Sequence, residues 1–231
     1  MTKAMNSTKK NARIAGFLYL LLALTGAFSI LYVPSVLVVF GDAAATAEKI
    51  ASSQVLFRAG ILTGVVSHVI FVLLVLVLYR LLREVSQTQA MLMVTLVVIG
   101  VATGFVNTIN QLGALIALSG ADFLSAFEEP ELDALAYLFL RVHSHGIQII
   151  QLFWGLWLFP FGLLVYRSRF IPKFLGVLLL IAGAGYLLGT ITFLILPQYQ
   201  SALSTPIMIL EIGELPIILW LLIVGVKAQA E

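Results

Sequence analysis

The sequence predicts an all-α membrane protein, a polytopic bundle of six transmembrane helices. Hydrophobic residues make up 61% of the 231 residues and charged residues only 10%, with a mean hydropathy of +1.09. A soluble domain is nearer half apolar and one quarter charged, so this composition indicates a polytopic membrane protein. The chain has no cysteine, which excludes disulfides and thiolate metal sites.

The apolar residues fall in six runs, each long enough to cross a hydrocarbon core of about 30 Å. We expect a cytoplasmic N-terminal tail over residues 1–12, without regular structure, and a single six-span domain over residues 13–227. The expected spans cover residues 13–33, 54–82, 89–118, 131–166, 172–196 and 206–226. The first run is longer than the apolar core of a signal peptide, so we interpret it as an uncleaved span.

Prolines mark several of these boundaries. Pro34 is expected to end the first span. Pro130, Pro172 and Pro206 are expected to open the last three spans, because the N–H groups of a first helical turn have no intrahelical partner. The fourth run exceeds the bilayer thickness, so its outer turns should extend beyond the lipid.

The distribution of Lys and Arg predicts the orientation. Ten basic residues fall on one side of a six-span arrangement: Lys3, Lys9, Lys10, Arg13, Arg80, Arg83, Arg167, Arg169, Lys173 and Lys227. The opposite side carries Lys49 and a group of acidic residues: Asp42, Glu48, Asp122, Glu128, Glu129, Glu131 and Asp133. Because short loops rich in Lys and Arg stay in the cytoplasm, both termini are predicted to be cytoplasmic.

The prediction of a functional site starts from Glu211 and Glu214, two carboxyl groups inside the last apolar run. Ionisable side chains at membrane depth normally face the protein interior and have a partner. At about 1.5 Å per residue, polar side chains of four spans fall in the outer half of the membrane. The predicted pocket consists of Glu211, Glu214, Arg58, Asn107, Asn110, Gln111, Arg141, His145, Gln148 and Gln151. Arg58 and Arg141 are expected to supply the counter-charges.

Helical spacing supports this selection and excludes one neighbour. The polar residues of span four, from Arg141 to Gln151, share a stripe about 120° wide, whereas His143 points away from it. Pro160 and Pro216 lack the N–H that would close the preceding turn, so each is expected to kink its helix. Gly213 makes local unwinding of the last span easier.

Glycines four residues apart occur in three of the spans. The pairs are Gly60/Gly64, Gly100/Gly104 and Gly185/Gly189. Such pairs allow helix backbones to approach closely in lipid. We interpret them as packing sites within one chain, with dimerisation as the alternative.

Three functional interpretations stay open. The first is an integral membrane protein that binds or transports a small ligand or a lipid moiety through the polar pocket. The second is a membrane-embedded hydrolase that depends on a metal or on His145, with Ser144 beside it as a nucleophile. The third is a structural bundle held by a buried ion-pair network, with no chemistry. Three histidines are a weak basis for a metal site, so no metal or cofactor is predicted. The expected partners are membrane lipids and a small-molecule or lipid ligand, without nucleic acid.

Several stretches also resemble a known family. They are residues 6–16 (NSTKKNARIAG), 41–47 (GDAAATA), 57–58 (FR), 107–111 (NTINQ) and 153–162 (FWGLWLFPFG). Together they are similar to the bacterial integral-membrane family called "domain of unknown function 4386", over nearly the whole chain. The resemblance implies a multi-span protein of the bacterial inner membrane. It implies no activity and no catalytic residues.

Overall fold

A computed structural model describes residues 2–226, with side chains from Thr8 onward. Lys227 and the side chain of Lys3, which entered the orientation argument, lie outside these residues. Within residues 2–226 the regular structure is entirely helical. The α-helices are α1 Thr2–Gly26, α2 Val33–Leu37, α3 Ala43–Ser52, α4 Gln54–Leu82, α5 Gln87–Ala117, α6 Glu129–Arg167, α7 Lys173–Ile195, α8 Gln200–Glu211 and α9 Leu215–Ile223. Among the described residues, six helical segments are long and apolar enough to cross a membrane, which confirms the predicted all-α fold with six spans.

The first span is longer than predicted at both ends. Helix α1 begins at Thr2, within the stretch expected to lack regular structure, and Pro34 does not end the span. A π-helical segment, Ala27–Tyr32, precedes the proline, and the Val33 N–H donates to the Phe28 carbonyl. The wider π turn moves the preceding carbonyls away from the proline ring, so the helix continues to Leu37.

The last span also begins earlier than predicted. Pro206 lies inside α8, and the span starts instead at a short 3-10 turn, Pro197–Tyr199. The predicted unwinding near Gly213 is confirmed, since a 3-10 turn, Ile212–Glu214, separates α8 from α9. By contrast, α6 continues as an α-helix through Pro160.

Helix α3 was not predicted, although a signal for it was present. The Asp42 side chain accepts a hydrogen bond from the Ala45 N–H at 2.9 Å and so caps the first turn. Gly41 has φ +80°, and its N–H donates to the Tyr137 hydroxyl at 2.8 Å. The Gly41-Asp42 motif therefore serves as a turn and helix cap.

The chain divides into two compact units. Unit 1 contains the residues up to Leu21, Ile70–Val101 and the residues from Gln148 onward. Its core includes the fully buried side chains of Leu78, Met93, Trp157 and Phe161. Close glycine packing occurs within this unit, where Gly185 and Gly189 of α7 face Leu210, Ile207 and Glu211 of α8.

Unit 2 contains Leu22–Val69 and Ala102–Ile147. Its core joins α2, α3, α4, α5 and α6 through Val33, Leu37, Ile50, Phe57, Ile61, Ala114, Ala117, Ala136 and Leu140. Gly60 and Gly64 of α4 pack against Val33 and Ser29 of the first span. These contacts support the interpretation of the glycine pairs as packing sites within one chain.

Candidate functional site

Glu214, at the break between α8 and α9, is the centre of a polar cluster in unit 1. The Tyr19 hydroxyl of α1 donates a hydrogen bond to Glu214 Oε1. The Tyr186 hydroxyl of α7 donates to the other carboxyl oxygen, Oε2, at 3.2 Å. We call these three residues the tyrosine–glutamate cluster. One acidic side chain at the break in the last span thus joins α1, 195 positions away, and α7, 28 positions away.

Aromatic rings surround this cluster. The Tyr19 ring lies 5.9 Å from the Trp157 ring, and Trp157 is stacked on Phe161 at 5.2 Å. The Trp154 ring meets the Tyr186 ring edge to face at 6.2 Å. Tyr19 and Trp157 are buried, whereas Trp154 and Tyr186 are partly exposed. Aromatic faces carry negative electrostatic potential and attract cations.

Glu211, the last residue of α8, lies along the glycines of α7. Its Cγ is 3.5 Å from the position that a Cβ on Gly185 would take, and its Oε1 is 3.9 Å from the corresponding position on Gly189. The side chain is partly exposed, and among the described residues no hydrogen bond reaches its carboxyl group. Unit 1 therefore contains one acidic group held by phenols and a second acidic group, three residues away, without such partners.

Asn107 forms a different polar cluster in unit 2. Its Nδ2 donates to the His143 carbonyl of α6 at 2.9 Å, while His143 Nδ1 lies 3.1 Å from the Asn107 carbonyl of α5. We call this pair the asparagine–histidine exchange. Gly146 makes room for it, since a Cβ there would lie only 2.5 Å from Asn107 Cγ. His143 was excluded by its helical angle, yet it is the partner of Asn107 because α5 approaches α6 on that side.

The two predicted counter-charges, Arg58 and Arg141, both lie in unit 2. Arg58 is exposed on α4. The Arg141 guanidinium lies over the Phe40 ring at 5.1 Å, and its Nη2 is 3.4 Å from His145 Nε2. The hydrogen bonds that Glu214 accepts come from tyrosines, which the sequence reasoning did not name.

The remaining predicted site residues are amides on α5 and α6. Asn110 Nδ2 lies 3.2 Å from both the carbonyl and the Oδ1 of Asn107, so it extends the asparagine–histidine exchange. Gln111 is partly buried on the same helix. Gln148 and Gln151 are partly buried in unit 1, where the Gln148 carbonyl accepts a hydrogen bond from Thr190 Oγ1 at 3.2 Å.

Within each unit, the structure thus brings together part of the predicted set. Glu211 and Glu214 lie at one helix break in unit 1, and Asn107 and Asn110 bond to each other in unit 2. Tyr19, Tyr186 and His143 were missed. A phenol in an apolar run was the available signal for the tyrosines, because a buried hydroxyl normally requires a partner.

The part of the chain that the structure describes gives no support to a metal-dependent hydrolase. There, no group of three or more His, Asp or Glu side chains is placed to hold a metal ion. Ser144 and His145, the residues named for a hydrolase, are both exposed on α6.

Comparison with known proteins identifies a family but no activity. Residues 14–225 match the family described as "Domain of unknown function (DUF4386)". The chain is also similar to an uncharacterized protein of Archaeoglobus fulgidus, with 32% identity over 150 residues, which cover 65% of this chain and 74% of that protein. No solved structure matches the chain. With a family match over nearly its whole length and six segments able to span a membrane, this chain is a multi-pass membrane protein that belongs to the DUF4386 family.

Proposed function

We propose that this protein binds a small ligand or lipid moiety through a positively charged group, with Glu211 and Glu214 as the acidic centre, and moves it across the membrane. The observation that carries the proposal is the placement of Glu214 between the Tyr19 and Tyr186 hydroxyls at a break in the last span. Helices that break at membrane depth are tolerated mainly where they line a cavity or a pathway.

The charge of the ligand follows from the surroundings of the two acids. Phenol hydroxyls stabilise a carboxyl group but do not neutralise it, and Glu211 lacks even this support within the described residues. An acidic side chain at membrane depth requires a counter-charge or a proton. The rings of Tyr186 and Trp154 add a surface that attracts cations. An amine or another organic cation satisfies both features.

The distribution of basic residues supports an orientation. We infer that both termini are in the cytoplasm, because Lys and Arg concentrate in the loops on one side of the six spans. We propose the bacterial plasma membrane as the location on the family resemblance alone. In this orientation the acidic centre belongs to the outer half of the membrane. Labelling of single introduced cysteines in intact cells tests the orientation, and the absence of native cysteine makes that measurement direct.

Binding of a lipophilic cation tests the proposal. Tetraphenylphosphonium would be titrated into the purified protein in detergent, and binding followed by calorimetry and by tryptophan fluorescence. We expect saturable binding that weakens at least tenfold in Glu214→Gln and is lost in the double variant with Glu211→Gln. The neutral analogue triphenylphosphine oxide should not compete.

Glu84→Gln is the matched control, because it removes the same charge from an exposed residue after α4. The melting temperature of each variant in detergent separates loss of binding from loss of fold. Equal binding by wild type and Glu214→Gln would refute the proposal. Loss of stability without loss of binding would identify the acids as scaffolding. Uptake of the same probe into vesicles, measured with wild type and Glu214→Gln, then tests movement.

A further inference from the structure

A shallow, open basic surface, which we call the basic groove, lies along the N-terminal part of α1, within unit 1. Its volume is about 450 Å³, and it is lined by Lys9, Lys10, Arg13, Ile14 and Phe17. Residues four apart share a helix face, so Lys9, Arg13 and Phe17 follow one another along the groove. Lys9 and Arg13 are therefore followed on the same helix face by the Phe17 ring, and Lys10 and Ile14 lie beside them.

The C-terminal end of α9 fixes part of this groove. Arg13 Nη2 donates to the Ile223 carbonyl at 3.2 Å. Gly225 has φ +75° and approaches Lys9 so closely that a Cβ there would lie 3.4 Å from Lys9 Cγ. A guanidinium has five N–H donors, so Arg13 retains donors for a ligand after bonding Ile223. Arg13 is thereby held by the last residue of α9, and the stem of Lys9 lies against Gly225.

The position of the groove in its span matters. Apolar residues predominate in α1 from Ile14 onward, so Lys9, Lys10 and Arg13 precede the apolar part of the first span. Ile14 and Phe17, one to two turns further along, are 39% and 53% exposed. A ligand that fits this order has an anionic head and an apolar chain, and a phospholipid at the membrane interface has both.

We infer that the basic groove is a binding site for the phosphate headgroup of one anionic phospholipid, with Ile14 and Phe17 contacting the first part of an acyl chain. Among the residues that the structure describes, those lining the groove include three cations and no acidic side chain. Arg and Lys donors bind phosphate oxygens through charge-assisted hydrogen bonds. Basic pockets on the cytoplasmic side of membrane proteins bind anionic headgroups in this way. The inference is independent of the ligand proposed for Glu211 and Glu214.

The competing explanation is general attraction between a basic protein surface and an anionic bilayer. That attraction depends on the number of charges and not on their position. A matched pair of triple variants distinguishes a specific lipid site from general attraction. Lys9→Gln/Lys10→Gln/Arg13→Gln removes the cations of the groove, and Arg80→Gln/Arg83→Gln/Arg169→Gln removes three exposed cations elsewhere.

Native mass spectrometry of the purified protein, titrated with phosphatidylglycerol or phosphatidylcholine, measures the site. We expect one phosphatidylglycerol to bind at least tenfold more tightly than phosphatidylcholine. The groove triple should abolish this preference, and the control triple should preserve it. Lys10→Gln alone, an exposed residue that leaves the Arg13 bond intact, should weaken binding about fivefold.

Two further measurements distinguish binding of a lipid from binding of free phosphate. Phe17→Ser retains every charge and should weaken phosphatidylglycerol binding about threefold, whereas inorganic phosphate at millimolar concentration should not displace the lipid. Equal losses in the two triple variants, an absence of preference over phosphatidylcholine, or displacement by inorganic phosphate would each overturn the inference.

Discussion

The tyrosine–glutamate cluster and the asparagine–histidine exchange are both polar contacts between helices of a membrane protein, but they differ in charge. In the exchange, two side chains each bond to the other's backbone carbonyl, and both can be neutral. In the cluster, an acidic side chain accepts from two phenols. The asparagine–histidine exchange therefore needs no counter-charge or ligand. The cluster still requires a proton or a cation, which is why we assign ligand binding to it and helix packing to the exchange.

Three substitutions test this difference, and Gly146→Ala should have the largest effect. The added methyl group would lie 2.5 Å from Asn107 Cγ and 2.9 Å from its Nδ2, so either the buried Asn107 amide leaves its contact with His143 or α5 and α6 move apart. We expect the free energy of unfolding to fall by about 3 kcal/mol, the upper end for overpacking a close contact. Denaturation in mixed detergent micelles measures it.

Gly64→Ala is the control for that experiment. A Cβ at Gly64 would lie 3.8 Å from Ser29, an ordinary van der Waals distance, so its stability should be nearly unchanged. Equal destabilisation by both substitutions would show that the asparagine–histidine exchange does not depend on the space beside Gly146.

Tyr19→Phe should have the next largest effect. Removing the Tyr19 hydroxyl leaves Glu214 Oε1 without its donor. Because Tyr19 is only 2% exposed, water cannot readily take the place of that donor. Hydrogen bonds to acidic groups contribute more than neutral ones, and we expect a loss of about 2 kcal/mol. Tyr186→Phe, at 3.2 Å and partly exposed, should cost less.

A double-mutant cycle checks the cause. In a Glu214→Gln background the cost of Tyr19→Phe should decrease, because the two residues act through one bond. Tyr199→Phe, at a side chain that is 52% exposed, is the control and should have little effect. Additive losses from Tyr19→Phe and Glu214→Gln would contradict the assigned contact.

Asn107→Leu should have the smallest effect on stability, about 1 kcal/mol, because polar contacts between membrane helices are individually weak. The His143 carbonyl lies inside helix α6, so it keeps a backbone hydrogen-bond partner when the Asn107 amide is removed. The double variant with His143→Phe should lose little more than the larger single variant, since the two side chains serve one contact.

Asn107→Leu also tests the division of roles. We expect it to leave the affinity for tetraphenylphosphonium within twofold of wild type, whereas Glu214→Gln weakens it at least tenfold. A large loss of cation binding in Asn107→Leu would mean that the two polar clusters do not have separate roles.

The sequence by itself determined the six spans and the break near Gly213, and it named Glu214 as a candidate site residue. A long apolar run in water-excluded surroundings has to be helical, and Pro216 cannot donate the N–H that would close the turn before it. An acidic residue in such a run is costly enough to indicate a special role. These conclusions depend only on properties local to each run.

The partners of the polar groups were decided only by the tertiary structure. Helical periodicity gives the face of a side chain on its own helix, but not which neighbouring helix that face meets. Tyr19 and Glu214 are 195 positions apart, and Asn107 and His143 are 36 apart. Glu214 bonds to two tyrosines, whereas the sequence suggested arginines as its partners. Asn107 bonds to His143, where Gly146 lets α5 and α6 approach closely.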